Sequence, residues 1–104
     1  MSKDVVSNEV YSSVACGEIN LTNAAVVLPS IPCKLAYISA LKGNTGYVYI
    51  GGAGVTVAGG SLNTTTGLQL EAGDTIGPLP IPNLNVLYGI AATSGDDISY
   101  LVLR

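Results

Sequence analysis

The chain is divided into short β-type runs by Gly, Pro, Asn, Asp and Ser, and this punctuation most constrains its fold. No window repeats apolar residues at the three- and four-residue spacing of an amphipathic helix. Runs of this length and spacing are typical of a sandwich or barrel. The sequence therefore predicts an all-β domain, a single antiparallel β-sandwich or jelly-roll-like barrel of about eight short strands. The main runs are Val14–Leu21, Ala24–Leu28, Cys33–Leu41, Tyr47–Ile50, Leu68–Leu70, Val86–Ala92 and Ile98–Leu103.

Two pairs of runs are predicted to form hairpins. Cys33–Leu41 alternates and is followed by Gly43-Asn44-Thr45-Gly46, whose residues tolerate positive φ, so Tyr47–Ile50 is expected to return as its partner. In the same way, Val86–Ala92 is expected to pair with Ile98–Leu103. The last two runs are apolar on both faces, which indicates either a central strand of a two-layer core or a subunit interface.

The chain has the length of one domain with one core. We predict that residues 14–104 form this domain. The polar segment Met1–Ser13 is a candidate flexible arm that becomes ordered on contact with a neighbour, or a frayed terminus. Between Gly51 and Gly67 the sequence predicts a long loop that contains a small hairpin at Val55 and Val57.

The few charges exclude several classes of partner. Only 11% of residues are charged and the net charge is −3, so the cation cluster that nucleic-acid binding requires is missing. No apolar run is long enough to span a bilayer, and the start of the chain lacks the apolar stretch of a signal peptide. We expect a protein that is made in the cytoplasm and binds neither nucleic acid nor membrane.

The two cysteines, Cys16 and Cys33, have two interpretations. In a reducing cytoplasm they are expected to be small buried apolar side chains. The alternative is that they face each other across neighbouring strands and form a disulfide in an oxidising exterior.

The sequence predicts no catalytic or metal site. The chain has no His, which removes the commonest general base and metal ligand, and two cysteines alone do not make a zinc site. Asp96-Asp97 is explained by turn geometry, as are Glu71 and Asp74. The glycine run that starts at Gly51 lacks the Lys-Ser/Thr and the helix of a phosphate loop. We therefore expect no enzyme and no cofactor.

The six tyrosines are the only aromatic residues and are candidates for protein contacts. The candidate contact residues are Tyr47, Tyr49, Tyr88 and Tyr100. The alternatives for Tyr47 and Tyr49 are ordinary core positions or a platform on which a sugar stacks.

The C-terminal sixty or so residues resemble small phage structural proteins. The resemblance rests on Tyr49-Ile50-Gly51-Gly52, on Gly67–Asp74 and on Asn83–Leu103, in that order along the chain. Proteins of this kind resemble capsid decoration, head-fibre base or tail-accessory subunits, which are often jelly-roll-like and often trimeric.

The resemblance implies a non-catalytic subunit of the virion, located on the capsid surface. Its expected partner is the major capsid protein or another virion protein, and a homo-oligomer is expected, with a trimer favoured. The alternative function is a carbohydrate- or host-surface-binding module of a head fibre or tail appendage, with Tyr47, Tyr49 or Tyr88 as stacking residues.

Overall fold

The structure, a computed structural model, describes residues 10–57 and 66–104. They form two four-stranded antiparallel sheets that pack face to face. Sheet I has the order β1-β8-β3-β6 and sheet II the order β2-β7-β4-β5. The predicted all-β sandwich of about eight strands is confirmed. The strands are β1 (Val14–Asn20), β2 (Val26–Val27), β3 (Leu35–Ala40), β4 (Val48–Gly51), β5 (Leu68–Leu70), β6 (Thr75–Leu79), β7 (Tyr88–Ala91) and β8 (Asp97–Leu103).

The strand pairs are nested in the way that defines a jelly roll. β4 pairs with β5, β3 with β6, β2 with β7 and β1 with β8. Except at the β4–β5 connection, consecutive strands lie in different sheets. This is the arrangement of one long hairpin folded over a common core, and it gives the double-sheet jelly roll.

Both predicted hairpins are wrong as strand pairs. β3 bonds to β8 and β6, whereas β4 bonds to β7 and β5 in the other sheet. β7 and β8 are separated in the same way. The reversals themselves are present, but each connecting segment crosses the roughly 10 Å between the sheets. Turn residues specify that the chain reverses, and do not specify which strand it then pairs with.

The core lies between the sheets and is built by alternating residues of each strand. In β3 the inward residues Ala36, Ile38 and Ala40 are buried, and they share one face of the strand as the alternating pattern predicts. Tyr100 of β8 also packs against the core. It lies opposite Gly17 of β1, where an added Cβ would be 2.7 Å from the tyrosine oxygen. The glycine therefore makes room for the ring.

Three features complete the fold. Pro78 lies in β6, at the edge of sheet I, where a residue without a backbone N–H interrupts no central strand pairing. Leu84–Val86 forms one turn of 3-10 helix, capped by the side chain of Asn83. None of the helices among the described residues is long and apolar enough to cross a membrane.

The start of the described chain continues the β1–β8 pairing. The backbone N–H of Ser12 donates to the carbonyl of Arg104 at 2.7 Å, and that of Arg104 donates to the carbonyl of Ser13 at 2.9 Å. Ser12 and Ser13 of the predicted arm therefore lie beside Arg104, directly after β8, whereas Val10 and Tyr11 contact Lys34. Residues 1–9 of that arm lie outside the described residues, as do residues 58–65 of the predicted long loop.

Candidate functional site

The outer face of sheet I carries an apolar surface at one end. Its residues alternate with core residues on β1, β8 and β3, and none of them packs against the core between the sheets. Two rows cross the three strands in register. We call this surface the outer patch; its first row is Val14, Leu103 and Leu35, and its second row is Cys16, Leu101 and Tyr37.

Much of the outer patch is open to solvent. Val14 is 57% exposed and Leu101 is 39% exposed, and Cys16 is also exposed. Covering such side chains removes apolar surface from water at about 25 cal/mol per Å². An exposed apolar area on one face of a sheet is typical of an interaction surface.

The other end of the same face is polar and satisfies its own hydrogen bonds. The Thr75 hydroxyl donates to the Ser39 hydroxyl at 2.9 Å, and Ser39 donates to the carbonyl of Asp74 at 3.2 Å. The amide of Asn20 donates to the Asp97 carboxylate at 2.8 Å. The boundary between the two ends crosses all of these strands, so the outer patch is a distinct surface.

Part of the outer face of sheet II is covered by the chain itself. Tyr49 and Ile90 point away from the main core and form a second buried cluster with Val55, which comes from the segment after β4. Tyr49 is only 4% exposed, and its hydroxyl lies 3.0 Å from the side-chain oxygen of Gln69. Part of the predicted loop is therefore a lid over sheet II, and sheet I has no equivalent among the described residues.

The four predicted contact tyrosines lie in different environments. Tyr47 is 41% exposed and Tyr49 is buried. Tyr88 packs against the second cluster, and Tyr100 packs against the main core. The structure does not bring them together on one surface, and their role in contacts stays a prediction. Tyr37, which belongs to the outer patch, was not among them; the alternation of β3 separated it from Ala36 and Ile38 but did not indicate which face is buried.

The turns at one end of the sandwich are held together by buried hydrogen bonds. Asp96 is 6% exposed, and its carboxylate accepts from the backbone N–H groups of Thr45 at 2.9 Å and Gly46 at 2.8 Å. The Asn44 side chain donates to the carbonyl of Asp97 and accepts from its N–H, both at 2.9 Å. The structural interpretation of Asp96-Asp97 is thus supported by named partners.

Beside these turns lies a shallow polar groove. It is lined by Asn44, Thr45, Gly46, Tyr47, Glu71 and Ala72. Tyr47 offers an exposed ring, and Glu71 an exposed carboxylate. An aromatic face beside hydrogen-bonding groups is the combination that the carbohydrate alternative requires.

The cysteines do not form a pair. Cys16 is exposed on β1, so its predicted burial is wrong, and Cys33 is half-buried before β3. Since β8 lies between β1 and β3, the two backbones are about 10 Å apart, beyond disulfide reach. Burial raises the pKa of the Cys33 thiol, opposed by the positive charge of Arg104. The thiol lies 3.4 Å from the carbonyl of Ile81, to which it donates.

Within residues 10–57 and 66–104, no three or more His, Cys, Asp or Glu side chains lie close enough together to hold a metal ion. A second groove, lined by Ser12, Ser13, Pro32, Cys33, Lys34, Pro82 and Arg104, carries two cations. The Lys34 ammonium already has partners within the chain, because it donates to the carbonyl of Val10 and lies 5.8 Å from the Tyr11 ring centre.

No protein family model, curated protein or solved structure matches the chain.

Proposed function

We propose that the chain is a non-catalytic structural subunit of a phage virion, a decoration or accessory protein that binds the major capsid protein or another virion protein. The observation that carries the proposal is the outer patch. It is an apolar surface, open to solvent, on a sheet whose opposite face is the core.

The chemistry of the patch suits protein contact. A protein surface that covers Val14 and Leu101 gains apolar burial and displaces no charged side chain from the patch, because the nearest charge on β1 is Glu18, in the next row. Charged residues are only 11% of the chain, so the surrounding surface is also inexpensive to desolvate.

The phage context rests on fold-level analogy and on the sequence resemblance. Double-sheet jelly rolls recur in viral capsid proteins, and also in lectins and cupins, so the fold alone does not select among these functions. The chain contains no His, and the proposal includes no catalytic step. A subunit that binds across capsomer boundaries favours the assembled shell by mass action.

The test measures binding to particles directly. Purified protein is sedimented with and without empty capsids of the phage that encodes it, and its mass in solution is measured by light scattering. We expect co-sedimentation of the wild type and loss of co-sedimentation for Leu101→Glu, because a carboxylate in the second row would be desolvated by the partner.

Leu68→Glu is the matched control. Leu68 is 56% exposed on β5 of sheet II, away from the outer patch, so this variant should co-sediment like the wild type. Equal binding by both variants would show that another surface is used. If the wild-type protein does not co-sediment with capsids, the virion proposal is overturned.

A second candidate function, carbohydrate binding, is favoured by the groove at Tyr47. Its 41% exposed ring could stack on a sugar while Glu71 and Thr45 bond to hydroxyl groups. The test is retention on columns that carry immobilised glucose, galactose or N-acetylglucosamine. Retention that is lost in Tyr47→Ala and kept in Tyr88→Ala would support this function. Equal elution of wild type and both variants on every column would count against it.

A further inference from the structure

β1 stands out among the four edge strands of the sandwich. An edge strand presents unpaired backbone N–H and C=O groups, and folded proteins usually protect such edges by shortness, Pro, bulges or charge. β2 has 2 residues and β5 has 3. β6 contains Pro78, a positive φ of 133° at Gly77 and a break in its register with β3.

Of these protections, β1 has only a single charge. It has 7 residues, no proline and a regular register with β8 throughout. Its only charged residue is Glu18. Among the described residues it pairs on one side only, so its outer backbone groups are free to bond to a further strand.

We propose that β1 is a self-association edge, on which β1 of a second copy of this chain adds in antiparallel orientation across a two-fold axis. The inference deepens the proposed function and rests on it, since it names how copies of the subunit join. The added strand would convert two four-stranded sheets into one continuous sheet.

The register of this pair follows from the length of the edge and from its one charge. The paired edge runs from Ser12 to Leu21, because Ser12 and Ser13 bond to Arg104 and Leu21 bonds to Asp96. Registers centred on Cys16 and on Gly17 overlap equally, and the register centred on Cys16 keeps the two Glu18 carboxylates farther apart, so Cys16 is placed opposite Cys16 of the second copy. Each Glu18 then lies opposite Val14, and the two carboxylates are well separated.

This register also joins the two outer patches. Residues directly opposite each other in an antiparallel pair point to the same face of the sheet. The second row of each patch therefore meets the other at Cys16. The result is one apolar stripe across both copies, with Leu101 and Tyr37 on each side of the central cysteines.

The first experiment measures mass and cross-linking. Light scattering of the wild type over a concentration series should reach twice the 10.5 kDa chain mass. Opposed residues of an antiparallel pair have Cα atoms about 4.5–5.5 Å apart, within disulfide range. Diamide, which takes up two protons and two electrons as two thiols become a disulfide, should therefore link two chains through Cys16. Peptide mapping identifies the linked cysteine.

Variants then locate the contact. Cys16→Lys places two ammonium groups opposite each other at an exposed position, so it should reduce the mass to one chain and leave thermal unfolding nearly unchanged. Val27→Lys is the matched control on the edge strand β2, where Val27 is 49% exposed, and it should stay paired. If Cys16→Lys lowers the unfolding temperature, cross-linking of the wild type still decides the question.

Each other outcome would overturn the inference. A wild-type monomer at all concentrations, a mass of three chains, or a dimer that survives Cys16→Lys would each contradict pairing through β1. A mass of three chains would match the trimer expected from the resemblance, and a mass of two chains would match this pair. Capsid co-sedimentation is scored separately: a monomer that binds capsids overturns the pairing alone. A dimer that does not co-sediment with capsids overturns the proposed function and leaves the pairing intact.

Discussion

Removal of the Asp96 carboxylate should destabilise the fold far more than removal of its neighbour, Asp97. Asp96 is 6% exposed and accepts hydrogen bonds from the backbone N–H groups of Thr45 and Gly46 at 2.9 and 2.8 Å. These bonds tie the β3–β4 turn to the β7–β8 turn, so they connect both sheets. In Asp96→Ala, both N–H groups lose their acceptor.

The expected loss follows from these two orphaned donors. A partly buried donor left without a partner costs about 1–3 kcal/mol, so Asp96→Ala should lose about 3 kcal/mol. A domain of this size has about 5–15 kcal/mol of stability in total. With a urea m-value of about 1.5 kcal/mol/M, the midpoint should fall by about 2 M.

Asp97→Ala is the matched control for this measurement. Among residues 10–57 and 66–104, its side chain accepts one exposed hydrogen bond, from Asn20 at 2.8 Å, so the expected loss is below about 1 kcal/mol. Asp96→Asn should fall between the two, because one acceptor oxygen is kept and the other is replaced by a donor. Urea unfolding followed by tyrosine fluorescence gives all three values. Equal losses for Asp96→Ala and Asp97→Ala would refute the reasoning.

Two further predictions concern the second cluster and the cysteines. Gly67→Ala should lower stability by about 1–3 kcal/mol in the same urea assay, because an added Cβ would lie 2.6 Å from both the Ile50 carbonyl and Val55, and an unchanged midpoint would contradict this packing. Iodoacetamide at pH 8 should modify Cys16 before Cys33 in intact protein, since burial raises the pKa of the Cys33 thiol and reduces its thiolate fraction. Mass spectrometry of the digested protein follows both rates, and faster modification of Cys33 would contradict the burial.

The strands were predictable from sequence because their signals are local. The alternation of Cys33–Leu41 predicts that Ala36, Ile38 and Ala40 share one face of β3, and the structure shows that this face is the buried one. The pairing was not predictable, because it depends on where each chain reversal leads. Gly43–Gly46 makes a turn whether the next strand joins the same sheet or crosses to the other, and here it crosses.

The outer patch could not be predicted from sequence either, because it depends on which strands pair. A row of the outer patch joins residues 14, 35 and 103, which no local pattern connects. The apolar character of both faces of the last strand did indicate an interface as one alternative, and Leu101 lies in the open patch. Tyrosine content was a weaker guide, since Tyr49 is buried by Val55, a residue from the segment predicted as a long loop with a small hairpin.

The size of the outer patch explains why self-association and shell binding would support each other. Full burial of a Val or Leu side chain contributes about 1.5–3 kcal/mol, and these residues are already partly covered, so the six-residue patch offers about 5 kcal/mol. Association costs an estimated 4–15 kcal/mol in lost freedom, which means that one patch alone binds weakly. In the proposed pair, two patches joined at Cys16 would bind as one unit, and the second contact would become intramolecular. On the proposed capsid shell, whose surface repeats many times, pairing would thus strengthen a contact that is weak for a single patch.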